Sequence, residues 1–258
     1  MRSARSRACA LSLTALLGTV IAATAAAAPP PSDGVVDLLT AANAEIVGPS
    51  VNARVGAVGG GADVNGDGRA DVLVSSSQVS PAGRARAGSV WVLAGRAQPA
   101  DVDLAAPGPL APARIDGAAP FDGLGRSSVT VAGDVNADGM ADILVGAPSA
   151  DNNGRVGSGS AYVVFGKARL GDVDLAALGT SGARIDGAVA AQGAGARVAA
   201  AGDVNRDGVA DLLIDTEPST AGQPSVVYVV FGGAGFSNLD LATPGARAVR
   251  IVRGGSAF

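Results

Sequence analysis

Short apolar runs bounded by glycine, proline and serine dominate the chain from about Val35 onward. VLV at Val72–Val74, ILV at Ile143–Val145 and LLI at Leu212–Ile214 are too brief for helices and are flanked by turn formers, so they read as strands. A Gly/Ser-rich loop and a second apolar run follow each of them: SVWVLAG from Ser89, SAYVVFG from Ser160 and VVYVVFG from Val226. Beyond the first 28 residues no stretch has a helical period. The runs recur about every 70 residues, and self-similarity at a fixed period signals a repeat architecture. VVDL near Asp37, DVDL at Asp101 and at Asp172, and LDL near Asp240 keep the same phase. So do ARIDG at Ala113–Gly117 and Ala183–Gly187, with fainter echoes in EIVG at Glu45–Gly48 and RIVRG at Arg250–Gly254. About four short strands per ~70 residues predict an all-β fold of four-stranded antiparallel β-propeller blades. The repeats fall near 35–100, 101–171 and 172–237, and a fourth starts at 238–258. Because a closed ring takes about four to eight blades, this pattern predicts an incomplete propeller. Trp91, Tyr162 and Tyr228 share one strand position, and Phe165 and Phe231 another. Recurrence at fixed positions makes these rings core between stacked sheets, not a ligand platform.

Polar residues concentrate in three near-identical loops: DVNGDGRAD at Asp63–Asp71, DVNADGMAD at Asp134–Asp142 and DVNRDGVAD at Asp203–Asp211. Each places oxygen side chains at loop positions 1, 3, 5 and 9, with glycine at position 6. Calcium takes six to eight oxygen ligands in adaptable geometry, so Asp63, Asn65, Asp67 and Asp71, with the Arg69 carbonyl, form a plausible shell. The same roles fall to Asp134, Asn136, Asp138, Asp142 and the Met140 carbonyl, then to Asp203, Asn205, Asp207, Asp211 and the Val209 carbonyl, which predicts about three calcium sites. Gly68, Gly139 and Gly208 permit the sharp turn. Magnesium, with its small octahedral shell, fits less well. Zinc fits poorly in a chain with no histidine and one cysteine. A solvated Asp-Gly turn needs no metal at all, but three copies of one donor pattern favour the cation. The loops are not EF-hands: position 12, where a bidentate Glu would stand, is Val74, Val145 or Ile214 within an apolar run. The loops therefore connect strands.

Together these motifs resemble the FG-GAP repeats of integrin α-subunit propellers and their bacterial secreted relatives. The second repeat matches most fully, with Phe121, Gly123 and Gly125 for the Phe-Gly segment, the Asp134–Asp142 loop, and Gly146-Ala147-Pro148 as the literal GAP. The first and third repeats depart from it, with Ser75-Ser76-Ser77 and Asp215-Thr216-Glu217 in place of GAP and Gln192-Gly193 in place of Phe-Gly in the third. The resemblance implies calcium loops on one rim that rigidify the blades and partner binding on the opposite face. It also implies structural rather than catalytic roles for the loop ligands.

Composition narrows destination and function. Arg2, Arg5 and Arg7, an apolar stretch and alanines to Ala28 read as a secretory signal peptide over residues 1–28, leaving 29–258 as the propeller segment. An uncleaved N-terminal anchor is the alternative. Losing that segment removes the lone cysteine, Cys9, and three of 19 basic residues while keeping all 23 acidic ones. The expected location is therefore extracellular or cell-surface, in a bacterium by composition. An acidic surface without basic clusters argues against nucleic acid, and nothing after the signal is apolar enough to span a bilayer. The expected partner is an extracellular protein or glycan, bound through loops such as Ser75–Ala87 and Ser149–Ser158, or another chain completing the propeller. The leading expectation is thus a secreted calcium-binding adhesion module. The alternative is the non-catalytic propeller part of a secreted hydrolase or lyase, phospholipase D-like or polysaccharide-acting. Without histidine or a mature cysteine, no catalytic residues are assigned and the reading leans away from an enzyme. Asp116, Asp186 and Glu217 are the carboxylates left for acid chemistry, with Asp116 and Asp186 expected in turns. A carbohydrate-binding module is disfavoured by 3% aromatic residues.

Overall fold

Short apolar runs can satisfy their backbone only by pairing with neighbours, and this chain pairs them as successive antiparallel meanders. The computed structural model describes residues 45–252 apart from 51, 52, 54, 98–100, 107–111 and 221. The signal-like segment 1–28, VVDL near Asp37 and the end of the fourth repeat after 252 lie outside the described residues. In chain order the strands are β1 (Ile46–Val47), β2 (Val58–Gly60), β3 (Val72–Ser76), β4 (Ser89–Leu93), β5 (Val102–Asp103) and β6 (Ala113–Asp116). Next come β7 (Val129–Gly133), β8 (Asp142–Ala147), β9 (Ser160–Val164), β10 (Val173–Asp174) and β11 (Gly182–Asp186). The last set is β12 (Ala194–Gly202), β13 (Asp211–Thr216), β14 (Val226–Val230), β15 (Leu239–Asp240) and β16 (Ala248–Val252). Among the described residues there is no α-helix.

Three four-stranded antiparallel blades result: β2-β3-β4-β6, β7-β8-β9-β11 and β12-β13-β14-β16. The chain is thus all-β and propeller-like. The first strands of successive blades lie against one another, β2 on β7 and β7 on β12. Blades and sequence repeats are out of phase. The DVDL segment that opens a repeat pairs in parallel with the last strand of an earlier blade: β10 with β6, and β15 with β11. The fourth strand of each blade comes after that segment. Hence the residues that open the fourth sequence repeat add β15 to the second blade and β16 to the third. The two-residue pair β1 and β5 repeats the same parallel contact one step earlier.

The core is laid down between blades. Leu73, Val90, Val92 and Ile115 of the first blade pack against Ile143, Val145, Tyr162 and Val164 of the second. Leu144, Ala161, Val163 and Ile185 of the second pack against Leu212, Ile214, Tyr228 and Val230 of the third. A smaller cluster, Val74, Trp91, Leu93, Val102 and Leu104, lies on the far side of the first blade. Trp91, Tyr162 and Tyr228 are all buried. Because the middle blade is covered on both faces, every residue of β8 and β9 is buried, which explains runs of apolar residues without alternation. In β14 burial alternates instead.

Blades approach closely where side chains are smallest. A Cβ on Gly146, the glycine of GAP, would collide with the Gly195 carbonyl of the next blade. At the matching place in the first blade, Ser75 donates its hydroxyl to the Gly125 carbonyl of the second blade at 2.7 Å. One blade junction is thus closed by bare backbone and the other by a hydrogen bond.

Candidate metal centre

Each acidic loop is the turn between the first and second strands of a blade: Asp63–Asp71 joins β2 to β3, Asp134–Asp142 joins β7 to β8, and Asp203–Asp211 joins β12 to β13. Val74, Val145 and Ile214, at position 12, lie inside strands. The glycines at position 6 have φ of 83°, 91° and 88°, left-handed values that a Cβ would strain. Position 4 is left-handed too, and there Ala137 and Arg206 carry the strain that Gly66 avoids.

Position 1 organises the loop. Asp63 accepts the N–H groups of Asn65, Gly66, Asp67 and Gly68 at 2.6 to 3.2 Å. These backbone donors, Gly68 foremost, hold its carboxyl below the usual carboxylate range. Asp134 accepts from Asp138 and Gly139, and Asp203 from Asp207 and Gly208. At position 3, Asn65, Asn136 and Asn205 each accept the N–H of position 5. At position 5, Asp67, Asp138 and Asp207 accept the N–H groups of Arg69, Met140 and Val209.

Position 9 behaves differently, because Asp71, Asp142 and Asp211 are buried. One oxygen of each accepts the N–H of position 2, from Val64, Val135 or Val204, at 2.8 to 2.9 Å. The other accepts an N–H just after the blade's third strand, from Gly95, Gly166 or Gly232, at 2.8 to 2.9 Å. Burial pushes the Asp142 carboxyl up to about 6, with Asp138 and Asp134 adding to the effect.

The loops also bridge blades. The Val64 carbonyl accepts the N–H of Lys167 from the second blade, and the Val135 carbonyl that of Gly233 from the third. The Asp134 carbonyl accepts the N–H of Ala210. Sequence reasoning missed these valines, although an invariant apolar residue inside three acidic loops was the available signal.

In chemistry the donor set suits a hard cation: three carboxylates and one amide oxygen in each turn. In arrangement, each loop brings its own predicted residues into one turn, but the carboxylates are drawn onto backbone N–H groups. Among the described residues no three acidic side chains converge as a metal-holding cluster. Each position-9 carboxylate accepts two hydrogen bonds from backbone N–H groups and keeps further lone pairs to offer.

Of the other carboxylates considered for chemistry, Glu217 is exposed just after β13, while Asp116 and Asp186 have structural surroundings. Asp116 and Asp186 are not in turns but are the last residues of β6 and β11. There each pairs with the arginine two residues earlier, Arg114 at 2.8 Å and Arg184 at 2.6 Å. Residues two apart in a strand lie on the same face, which accounts for the pairing. Asp122, in the Phe-Gly segment, is buried with the Ala119 N–H as a partner. Burial raises its carboxyl to about 6, and Asp151 adds to the rise. Because the folded-state value exceeds the unfolded one, charging Asp122 opposes folding: stability falls as pH climbs from about 4 to about 6. Asp122→Asn is therefore expected to gain about 2 kcal/mol at pH 7.5 and nothing at pH 4. Thermal melts of both proteins across this range check it, and parallel curves would refute it.

Stacked four-stranded blades carrying acidic turns at one rim define a propeller repeat protein. The FG-GAP repeat family model matches two stretches of the chain, residues 55–93 and 125–164, which span β2 to β4 and β7 to β9. FG-GAP repeats support a β-propeller module of extracellular type. The chain is 35% identical over 117 residues to phosphatidylinositol-glycan-specific phospholipase D of Mus musculus, and 34% identical over 117 residues to the same-named protein of Rattus norvegicus. Each match covers 44% of this chain and 13% of the relative. No helix among the described residues is long and apolar enough to cross a membrane.

Proposed function

We propose that this chain is a calcium-stabilised FG-GAP propeller segment that serves as an extracellular binding or adhesion module. The observation that carries the calcium reading is the placement of one donor set at the same turn of three blades. In the first two, that turn is also hydrogen-bonded to the following blade. A divalent cation there would be held by Asp63, Asn65, Asp67, Asp71 and the Arg69 carbonyl, and by the equivalent groups of the other two loops. Its contribution would be to neutralise three carboxylates and stiffen the turn.

Partner binding is assigned to the opposite rim, where the loops joining second to third strands lie. A cleft of about 310 Å³ opens there between the second and third blades, lined among others by Arg126, Asp151, Val156 and Glu217. Its mixture of charge and exposed apolar surface suits a protein or glycan better than a reaction, since no nucleophile and base are paired in it.

Calorimetric titration with calcium tests the metal reading. Three sites are expected, with one lost in each of Asp67→Ala, Asp138→Ala and Asp207→Ala. Absence of heat in the unaltered chain would leave the loops as turns only.

The similarity to phospholipase D supports a second reading, in which this chain is the non-catalytic propeller portion of a secreted hydrolase. Among the carboxylates outside the loops, Asp116 and Asp186 are tied up in ion pairs and Asp122 is buried, while Glu217 is exposed. On this reading the isolated chain hydrolyses no phosphodiester. Turnover abolished by Glu217→Gln would overturn both readings.

A further inference from the structure

On the rim opposite the acidic loops, both junctions between blades open into clefts, and the two clefts differ in charge. The cleft between the second and third blades is lined by Asp151 and Glu217 as well as Arg126. The cleft between the first and second, of about 200 Å³, is lined by Arg86, Arg126, Phe121, Ser77, Gln78 and Ser149, and no carboxylate lines it. In a chain with 23 acidic and 19 basic residues, two guanidinium groups gathered without a counter-charge stand out. Other arginines of this rim are already paired, Arg84 with Asp174 and Arg155 with Asp240. Among the described residues Arg126 makes no ion pair. Arg86 donates from Nε and one terminal nitrogen to the Gln78 side-chain oxygen, at 3.0 and 2.6 Å. That neutral partner orients the guanidinium without cancelling its charge.

One hydrogen bond sets the equivalence of the two clefts. Phe121 donates its N–H to the Ala85 carbonyl, and Ala191 donates to the Val156 carbonyl, both at 2.8 Å. Arg86 therefore stands where the second cleft has Gly157, and Phe121 where it has Ala191. Arg86, Gly157, Phe121 and Ala191 are all left-handed, with φ of 50°, 60°, 67° and 59°. Glycine takes that conformation freely, whereas arginine and phenylalanine are strained in it. Strain of this kind collects at ligand clamps. Phe121 is 62% exposed, and it is the one aromatic ring in the exposed class among the described residues.

We propose that this cleft binds an acidic sugar, with its carboxylate on Arg86 and Arg126 and its ring on Phe121. The electron-rich face of an aromatic ring packs against the C–H face of a sugar. Sugar hydroxyls find partners in Ser77, Ser149 and the Gln78 amide, and a carboxylate accepts from a guanidinium fork. With one ring only, charge and not stacking supplies the selectivity. A protein partner is served less well, because its anchors need well-packed, desolvated pockets, and this cleft is polar apart from one ring. The site rests on the reading of this rim as a binding surface and gives that surface a ligand class. Asp151 and Glu217 repel the same ligand from the neighbouring cleft, so one molecule binds per chain.

Calorimetric titration of the full chain, with calcium present, against tetragalacturonate and its methyl ester tests this. One saturable site with a dissociation constant of about 1 mM or tighter is expected for the acid, weakening as salt is added. The ester keeps the rings but not the charge and should bind about tenfold more weakly. Arg126→Ala should weaken binding of the acid by about tenfold. Arg86→Gly should do the same without lowering the melting temperature, because it supplies the residue type found in the second cleft and relieves the left-handed strain. Phe121→Ala should weaken binding by about threefold or more. Equal affinity for acid and ester overturns the proposal, as does binding that all three substitutions leave unchanged. Tighter binding of tetraglutamate also overturns it, by making the occupant an acidic peptide. A chain that takes up calcium but no tetragalacturonate overturns this site alone and leaves the calcium reading standing.

Discussion

Chelating calcium is expected to lower the melting temperature of this chain by about 15 °C or more. A ligand that binds only the folded state at 100 times its dissociation constant contributes about 2.7 kcal/mol per site. In a domain of this size each kcal/mol moves the midpoint by about 2–4 °C. Three equivalent sites make the sum large, and the turns they occupy are the ones hydrogen-bonded across blades, so loosening them loosens the stack. Differential scanning calorimetry with and without a calcium chelator checks this. Magnesium at equal concentration should restore little, since its small rigid shell suits these loops poorly. An unchanged midpoint would sink the proposal that the loops hold calcium.

Asp142→Ala should cost about 3 kcal/mol even in the presence of chelator. The carboxylate serves two backbone donors at once, Val135 of its own loop and Gly166 beyond the third strand. Truncation leaves both without an acceptor, and each buried donor so abandoned costs about 1–3 kcal/mol. Relief of the burial that raises the Asp142 carboxyl to about 6 offsets part of this. Asp211→Ala should cost less. The Val204 it serves is 52% exposed, whereas Val135 is fully buried, so water can take over one of the two bonds. Urea unfolding of the two variants side by side reads the difference. Equal losses would mean that the blade packed over Val135 does not matter to the bond beneath it.

The strands were legible because their apolar runs are short and punctuated, and because the same run returns at the same distance. The buried aromatic positions were legible for the same reason: Trp91, Tyr162 and Tyr228 recur in register, and all three are core. The phase of the blades was not. ARIDG and AVRIV have the composition of any half-buried strand, and nothing local says whether β6 closes the sheet begun by β2 or opens the next. That choice is made by pairing across intervening residues, through contacts such as Val90 with Ile115. Asp116 and Asp186 were misplaced because Asp followed by Gly looks like a turn, whereas the arginine two residues earlier holds each carboxylate on the strand face. That each acidic loop joins two strands of a blade was legible. The double attachment of position 9 was not, because Gly95, Gly166 and Gly232 reach it from beyond the next strand.

The offset between blades and sequence repeats bears on how such a chain can lengthen or shorten during evolution. A duplicated block of about 70 residues keeps the alternation intact wherever its ends fall, so genetic change need not respect the edges of a sheet. Physical dissection must. A cut between Leu93 and Val102, at the apparent repeat boundary, would strip β6 from β4 and leave a bare edge where an outer strand belongs. The unit of inheritance and the unit of cooperative unfolding are therefore different stretches of the same chain. Each blade begins in one inherited block and is finished by the next.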